Sequence, residues 1–146
     1  MQEKVVEIAR EWIGTPYRHQ ASLKGSGADC LGLIRGVWRT IYGQEPEAIP
    51  RYTPDWSEPS GKERLWSAAS RHLEQRFPCG VPEPGDVLLF RMRRGSVAKH
   101  LGISSQRNGV PCLIHAYQGH SVLETTLSVP MRERIVARFA FPERKD

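Results

Sequence analysis

The spacing of apolar side chains along this chain changes period once, from that of helices to that of strands. In the opening segment, residues 2–13, Val5, Ile8, Ala9 and Trp12 fall on one helical face. Gly14-Thr15-Pro16 ends it, because glycine supplies a helix stop and proline lacks the amide that the helical ladder needs. Residues 17–28 are polar and carry Gly25 and Gly27, which predicts a loop. The clearest stripe follows: Cys30, Leu33, Ile34, Val37, Trp38 and Ile41 recur at intervals of three and four and predict a helix over 30–42. Asp29 stands just before it as an N-cap. Residues 44–60 hold Pro46, Pro50, Pro54 and Pro59 with few apolar anchors beyond Ile49, Tyr52 and Trp56, and predict an extended connection. Ser60 and Glu63 match a capping box, and Leu65, Ala69, Leu73 and Phe77 continue a third helical stripe that Pro78 and Gly80 end.

After the turn signal Pro84-Gly85-Asp86 the period becomes two, and strands are predicted over 87–92, 97–105, 112–117, 121–126 and 135–141. Their connections are short, which suits hairpins and an antiparallel sheet of about five strands. Helices first and strands later give an α+β fold, and 146 residues suit one domain over 1–146. An apolar share of 39% with 25% charged residues excludes a mainly disordered or collagen-like chain.

The longest purely apolar runs, such as Val87–Phe90, are too short to cross a membrane, and Met1-Gln2-Glu3-Lys4 lacks the apolar stretch of a signal peptide. Synthesis in the cytoplasm is the expectation. Lys and Arg number 21 against 16 Asp and Glu, a net charge of +5 that favours an anionic partner. Nucleic acid, anionic lipid and anionic cell-wall polymer all answer to such a field. Arg91, Arg93 and Arg94 form a basic knot at a predicted hairpin, with too few aromatic neighbours for a stacking platform, so nucleic acid is not the expected partner.

Three cysteines, Cys30, Cys79 and Cys112, cannot all pair with one another and form no CxxC framework. Cys30 begins a helix, where the free amides and the dipole favour a thiolate; it is also the first residue of an apolar stripe, as a buried structural cysteine would be. On the strand over 97–105, His100 shares a face with Ala98, Gly102 and Ser104, so its imidazole has room for an approaching helix end. His115 lies in the next strand and, if the two are neighbours, meets the ring nitrogen of His100 that faces away from the thiol, as the third member of a triad. A zinc site drawn from Cys30, Cys79, Cys112, His100 and His115 lacks a close ligand pair to anchor it. His19 and Gln20 precede Cys30 and are placed to face a cleft, His72 and His120 read as surface residues, and Asp86 reads as the holder of a turn.

Gly14-Thr15-Pro16-Tyr17, Asp29-Cys30-Leu31-Gly32-Leu33, Pro84-Gly85-Asp86-Val87, His100-Leu101-Gly102-Ile103 and Ile114-His115-Ala116 together resemble the NlpC-type cell-wall peptidases, papain-like cysteine hydrolases of bacterial peptidoglycan. The resemblance covers nearly the whole chain. Residues 18–22, 35–39 and 54–56 look most like the small stand-alone branch encoded by phages, prophages and gene transfer agents. The resemblance implies Cys30 as nucleophile, His100 as general base and later acid, and His115 as the orienting residue, with no metal and no cofactor. Tyr17, Asp29, Gln20 and Leu31 are the residues it places against substrate, Asp29 either binding a substrate amine or only capping its helix. It further implies stem peptides of peptidoglycan as substrate, cut between γ-D-glutamate and a diamino acid, phage-tail-like particle proteins as partners, and action on the cell wall after carriage in a particle or release on lysis. Two departures stand out: Leu31 occupies a position where many members carry Ser, and His19-Gln20-Ala21 replaces an aromatic-Gly-Gly run. The rival expectations are an amidase cutting between muramic acid and L-alanine, and a catalytically idle component that binds cell wall or organises a tail tip.

Overall fold

The computed structural model describes residues 1–49, 51–52 and 61–143. Helix α1 (Gln2–Arg10) buries Val5, Val6, Ile8 and Ala9. It is shorter than its apolar pattern because the next three amides, of Glu11, Trp12 and Ile13, reach back only three residues and tighten the last turn. Gly14 then takes φ +93 and exchanges its chain direction for contacts with Val122, whose amide in turn donates to the Thr15 carbonyl at 2.8 Å.

The loop before Cys30 contains a small hairpin, β1 (Ser22–Leu23) with β2 (Gly27–Ala28). Strands of two residues carry no readable period. Helix α2 spans Cys30–Tyr42, as its stripe and cap dictate, and buries Leu33, Ile34, Val37 and Ile41. At Gly36 the ring of Trp12 comes so close that a Cβ would stand 2.0 Å from its Cζ2, so α2 and the end of α1 touch nearly backbone to ring.

The third helix departs from expectation. α3 covers Arg64–His72 and stops where Leu73 becomes extended, after which β3 (Glu74–Arg76) pairs with β8 (Ile135–Ala140). Phe77, assigned by spacing to the helical stripe, is 75% exposed. The competing demand is backbone pairing: three residues laid along the edge of β8 satisfy amides and carbonyls that a longer helix would have left open. Glu63 makes no cap hydrogen bond; its carboxylate accepts from the Ala98 amide at 2.9 Å and from Arg91 Nη2 at 2.8 Å. Ser60, Pro50, Pro54, Trp56 and Pro59, and with them the other half of the capping box and much of the extended connection, lie outside the described residues.

The remaining strands are β4 (Val87–Phe90), β5 (His100–Arg107), β6 (Val110–His115) and β7 (Leu123–Thr126), with a short helix α4 (Val129–Glu133) before β8. The large sheet has six strands in the order β3-β8-β4-β5-β6-β7, every pair antiparallel, one more strand than the pattern predicts. The β5–β6 turn is tighter than expected because Asn108 and Gly109 both take positive φ, the two-residue turn whose twist matches the strands. One sheet face, with Val87, Leu89, Ile103, Ile114 and Phe139, packs on Val5, Leu33 and Val37 of the helices; the other carries a smaller cluster of Leu88, Phe90, Leu113, Leu127 and Ile135. No helix among the described residues is long and apolar enough to cross a membrane.

Candidate active site

The start of α2 is held by its neighbours before it holds anything else. Asp29 Oδ1 accepts from the Gly32 amide at 2.7 Å, and Oδ2 accepts from the Gln20 amide at 2.8 Å and from the Tyr52 hydroxyl. A Cβ on Gly32 would meet the Ala21 carbonyl oxygen at 1.9 Å, so only glycine lets the preceding loop lie against the helix. Ser22 Oγ closes the junction by donating to the Gly32 carbonyl at 2.6 Å. Cys30 therefore sits on a platform fixed from both sides.

Its thiol donates to the Lys99 carbonyl at 3.8 Å, just before β5. Burial, and then the Asp29 charge, push the thiol pKa up to about 12, while the amides of Leu101, Leu31 and Cys30 pull the other way. The helix-start effect anticipated from position is present, but desolvation outweighs it, and the resting group is a neutral thiol.

His100 and His115 project from the sheet face opposite the helical layer. His100 Nε2 and His115 Nδ1 are 2.9 Å apart, and His115 Nε2 lies 3.2 Å from Thr125 Oγ1. Gly102 makes the room, since a Cβ there would stand 2.5 Å from Leu113 and 3.2 Å from the His115 Cβ. Burial, helped by each ring's neighbour, pulls His100 down to about 3 and His115 down to about 4, so both imidazoles are neutral at pH 7. Tyr117 packs on His115 with ring centroids 4.8 Å apart and on exposed His120 at 4.3 Å.

Cys30, His100 and His115 line one open cleft of about 550 Å³, with Tyr17, His19, Asp29 and Tyr52 on the helix side and Met92, Lys99 and Tyr117 across from them. Two of the residues the sequence places against substrate are elsewhere. Gln20 contributes its backbone amide to Asp29 and does not line the cleft; its φ of +63 turns the chain there. Leu31 lines an apolar pocket with Ile34, Trp38 and Leu65 instead, because on α2 it faces α3. His19 does face the cleft, with Nε2 donating to the Tyr52 carbonyl at 2.8 Å and Nδ1 3.9 Å from Asp29 Oδ2.

Tyr52, Tyr117 and Thr125 are the site residues that sequence reasoning missed. Tyr52 reaches Asp29 from a connection without periodicity, whereas Thr125 had a usable signal: in β7 it lies on the same face as Leu123, the partner of His115. The cysteines do not converge, Cys79 contacting the Ile135 carbonyl and Cys112 the Val110 carbonyl, and among the described residues no three His, Cys, Asp or Glu side chains stand together as metal ligands. Asp86 holds its turn as expected, accepting from the Glu83 amide at 2.8 Å and facing Arg138 Nη1 at 3.2 Å.

A family model described as the NlpC/P60 family matches residues 14–139. Among curated proteins, the gamma-DL-glutamyl hydrolase of Bacillus subtilis (strain 168) is 28% identical over 99 residues, which are 68% of this chain and 20% of that protein. The chain thus spans about a fifth of that relative's length. Among solved structures, the NlpC/p60 domain of the peptidoglycan hydrolase SagA superposes with a TM-score of 0.64 at 21% identity, over 97% of this chain and 99% of that one. An NLP/P60 family protein similar to a lipoprotein, from Staphylococcus aureus subsp. aureus Mu50, superposes with a TM-score of 0.62 at 16% identity, over 98% of this chain and 42% of that one. At these identities the two structures speak to the fold, an α+β arrangement of helices on an antiparallel sheet.

Proposed function

Because the chain belongs to the NlpC/P60 family, we propose that it is a cysteine endopeptidase of peptidoglycan, with Cys30 as nucleophile, His100 as proton shuttle and His115 as the orienting third residue. The observation that carries this reading is a helix-start cysteine sharing one cleft with a hydrogen-bonded histidine pair. His100 spends Nε2 on His115, which leaves Nδ1 for the thiol.

A neutral thiol that shares its cleft with a neutral imidazole sets the order of events. The proton moves from Cys30 to His100 as the sulfur attacks the amide carbonyl carbon, so the S–C bond forms while the imidazolium appears. The carbonyl oxygen becomes an oxyanion, which the Cys30 amide and the Tyr17 hydroxyl stabilise as donors; burial pushes the Tyr17 phenol up to about 12, so it keeps its proton throughout the working range. His100 then gives its proton to the leaving amine as the C–N bond breaks. Water, deprotonated by His100, attacks the thioester and releases a carboxylic acid and the free thiol. No step calls for a metal or an organic cofactor.

The substrate is the stem peptide of bacterial peptidoglycan, and the bond is the one between γ-D-glutamate and a diamino acid; the curated relative, a gamma-DL-glutamyl hydrolase, supports that choice. Association with a phage-like or gene-transfer-agent particle, and action on the wall after carriage or lysis, is supported by the sequence likeness of residues 18–22 and 35–39. Digestion of purified peptidoglycan, followed by mass spectrometry of the released muropeptides, tests the reading. Expected are fragments with a new amine on the diamino acid and a new carboxyl on D-glutamate, absent with Cys30→Ala. A new amine on L-alanine would make the protein an amidase, and no cleavage by the folded chain would leave a wall-binding component.

A further inference from the structure

The histidine pair does not end at His115. Its Nε2 continues to the Thr125 hydroxyl at 3.2 Å, across the β6–β7 diagonal, where His115 pairs with Leu123 and Leu113 pairs with Thr125. We propose that Thr125 is a positioning residue for the charged form of His100: its hydroxyl oxygen accepts a hydrogen bond from the Nε2–H of His115 and so fixes the direction of the whole relay. This rests on the catalytic roles of Cys30, His100 and His115 given above.

The number of N–H donors fixes the tautomers. When His100 has taken the thiol proton, both its ring nitrogens carry hydrogen. The Nε2–H then points at His115 Nδ1, 2.9 Å away, which must present a lone pair. A neutral His115 with a lone pair on Nδ1 carries its proton on Nε2, and that proton faces Thr125 Oγ1. The hydroxyl is the acceptor that lets His115 hold this tautomer while it is only 6% exposed. Without it, His115 gains by moving its proton to Nδ1, where it opposes the Nε2–H of the imidazolium, and the thiolate–imidazolium pair becomes harder to form. The other groups around the pair are Tyr117 and His120 beyond β6, Phe90 from β4, Lys99 next to His100, and Tyr17, His19, Asp29, Cys30 and Tyr52 on the helix side of the cleft; the partner that faces His115 Nε2 is the Thr125 hydroxyl.

Thr125→Val keeps the branched strand side chain and removes the acceptor, whereas Thr125→Ser keeps the acceptor and drops a methyl group. Two readouts apply: kcat and KM on a stem peptide containing the γ-D-glutamyl bond, and the rate of Cys30 alkylation by iodoacetamide at pH 7, which needs no turnover. The expected result is that T125V lowers kcat about tenfold with KM little changed and slows alkylation at pH 7 about tenfold, since a hydrogen bond supporting a charged group is worth about that much. T125S stays within about twofold of the parent protein, because only the acceptor matters. T125V matching the parent in both readouts, or T125S as impaired as T125V, overturns the proposal. Cys30→Ala separates the two levels: if it is inert while T125V is fully active, the positioning role alone fails; if it is still active, the catalytic reading fails and the positioning role with it.

Discussion

His100 and His115 are the two residues whose burial most directly couples the site to the stability of the protein. A histidine whose folded pKa lies below its unfolded value of about 6.5 binds fewer protons folded than unfolded. The folded state is therefore fully favoured above about pH 6.5, and that advantage is lost as pH falls towards about 4 for His115 and about 3 for His100. Glu45, Glu47 and Glu124, held low by arginine neighbours, lose their contribution only in the carboxylate range, and Asp86, raised by burial, acts with the opposite sign there. Urea denaturation at pH 7 and pH 5 should thus show a loss of about 2 kcal/mol per histidine, and much less in a His100→Asn, His115→Asn double variant. An unchanged midpoint between the two pH values would contradict the burial of neutral rings. At this scale the sequence was informative where chemistry and spacing coincide: Cys30 after its cap Asp29, and two histidines on neighbouring strands. It was silent on Tyr52, which reaches Asp29 across 23 positions from a segment with no periodicity to place it.

Among the elements, α2 has the bounds its stripe predicts because cap, apolar spacing and C-terminal Gly43 agree with one another. α3 and β3 illustrate the opposite case. Leu73 and Phe77 continue the helical spacing, but the edge of β8 offers backbone partners that spacing cannot reveal, and the chain becomes a strand. The β5–β6 boundary was readable in principle, since Asn108-Gly109 is a hairpin signal stronger than the apolar pattern on either side. The packing of α2 on the end of α1 gives a prediction at this scale. Gly36→Ala gains about 1 kcal/mol in helix propensity, yet its methyl group would fall 2.0 Å from a ring carbon of Trp12, which is 4% exposed and has little room to yield. Overpacking of this kind costs about 1–3 kcal/mol, so a net loss of about 1 kcal/mol is expected in thermal or urea denaturation. A stabilised G36A would contradict the close approach.

For the molecule as a whole, the change of period along the chain foretells a layer of helices on an antiparallel sheet, and the structure has that arrangement. Strand order is another matter: β8 lies between β3 and β4, a pairing of distant segments that no local pattern encodes. The net charge of +5 also looks different once folded. Arg10 pairs with Glu124, Arg35 and Arg39 with Glu45, Arg71 with Glu47, Arg91 with Glu63 and Arg138 with Asp86, so much of the arginine content holds elements together. What unites fold and chemistry is the delivery of one cysteine, from the start of α2, to a cleft walled by the histidine strands. The most direct test is the intact mass of the protein quenched in acid during turnover of a stem peptide, with peptide mapping of any adduct. An acyl group on Cys30, released by hydroxylamine as a thioester is, is the predicted result. Turnover with the adduct on another residue, or undiminished turnover by Cys30→Ala, would contradict it.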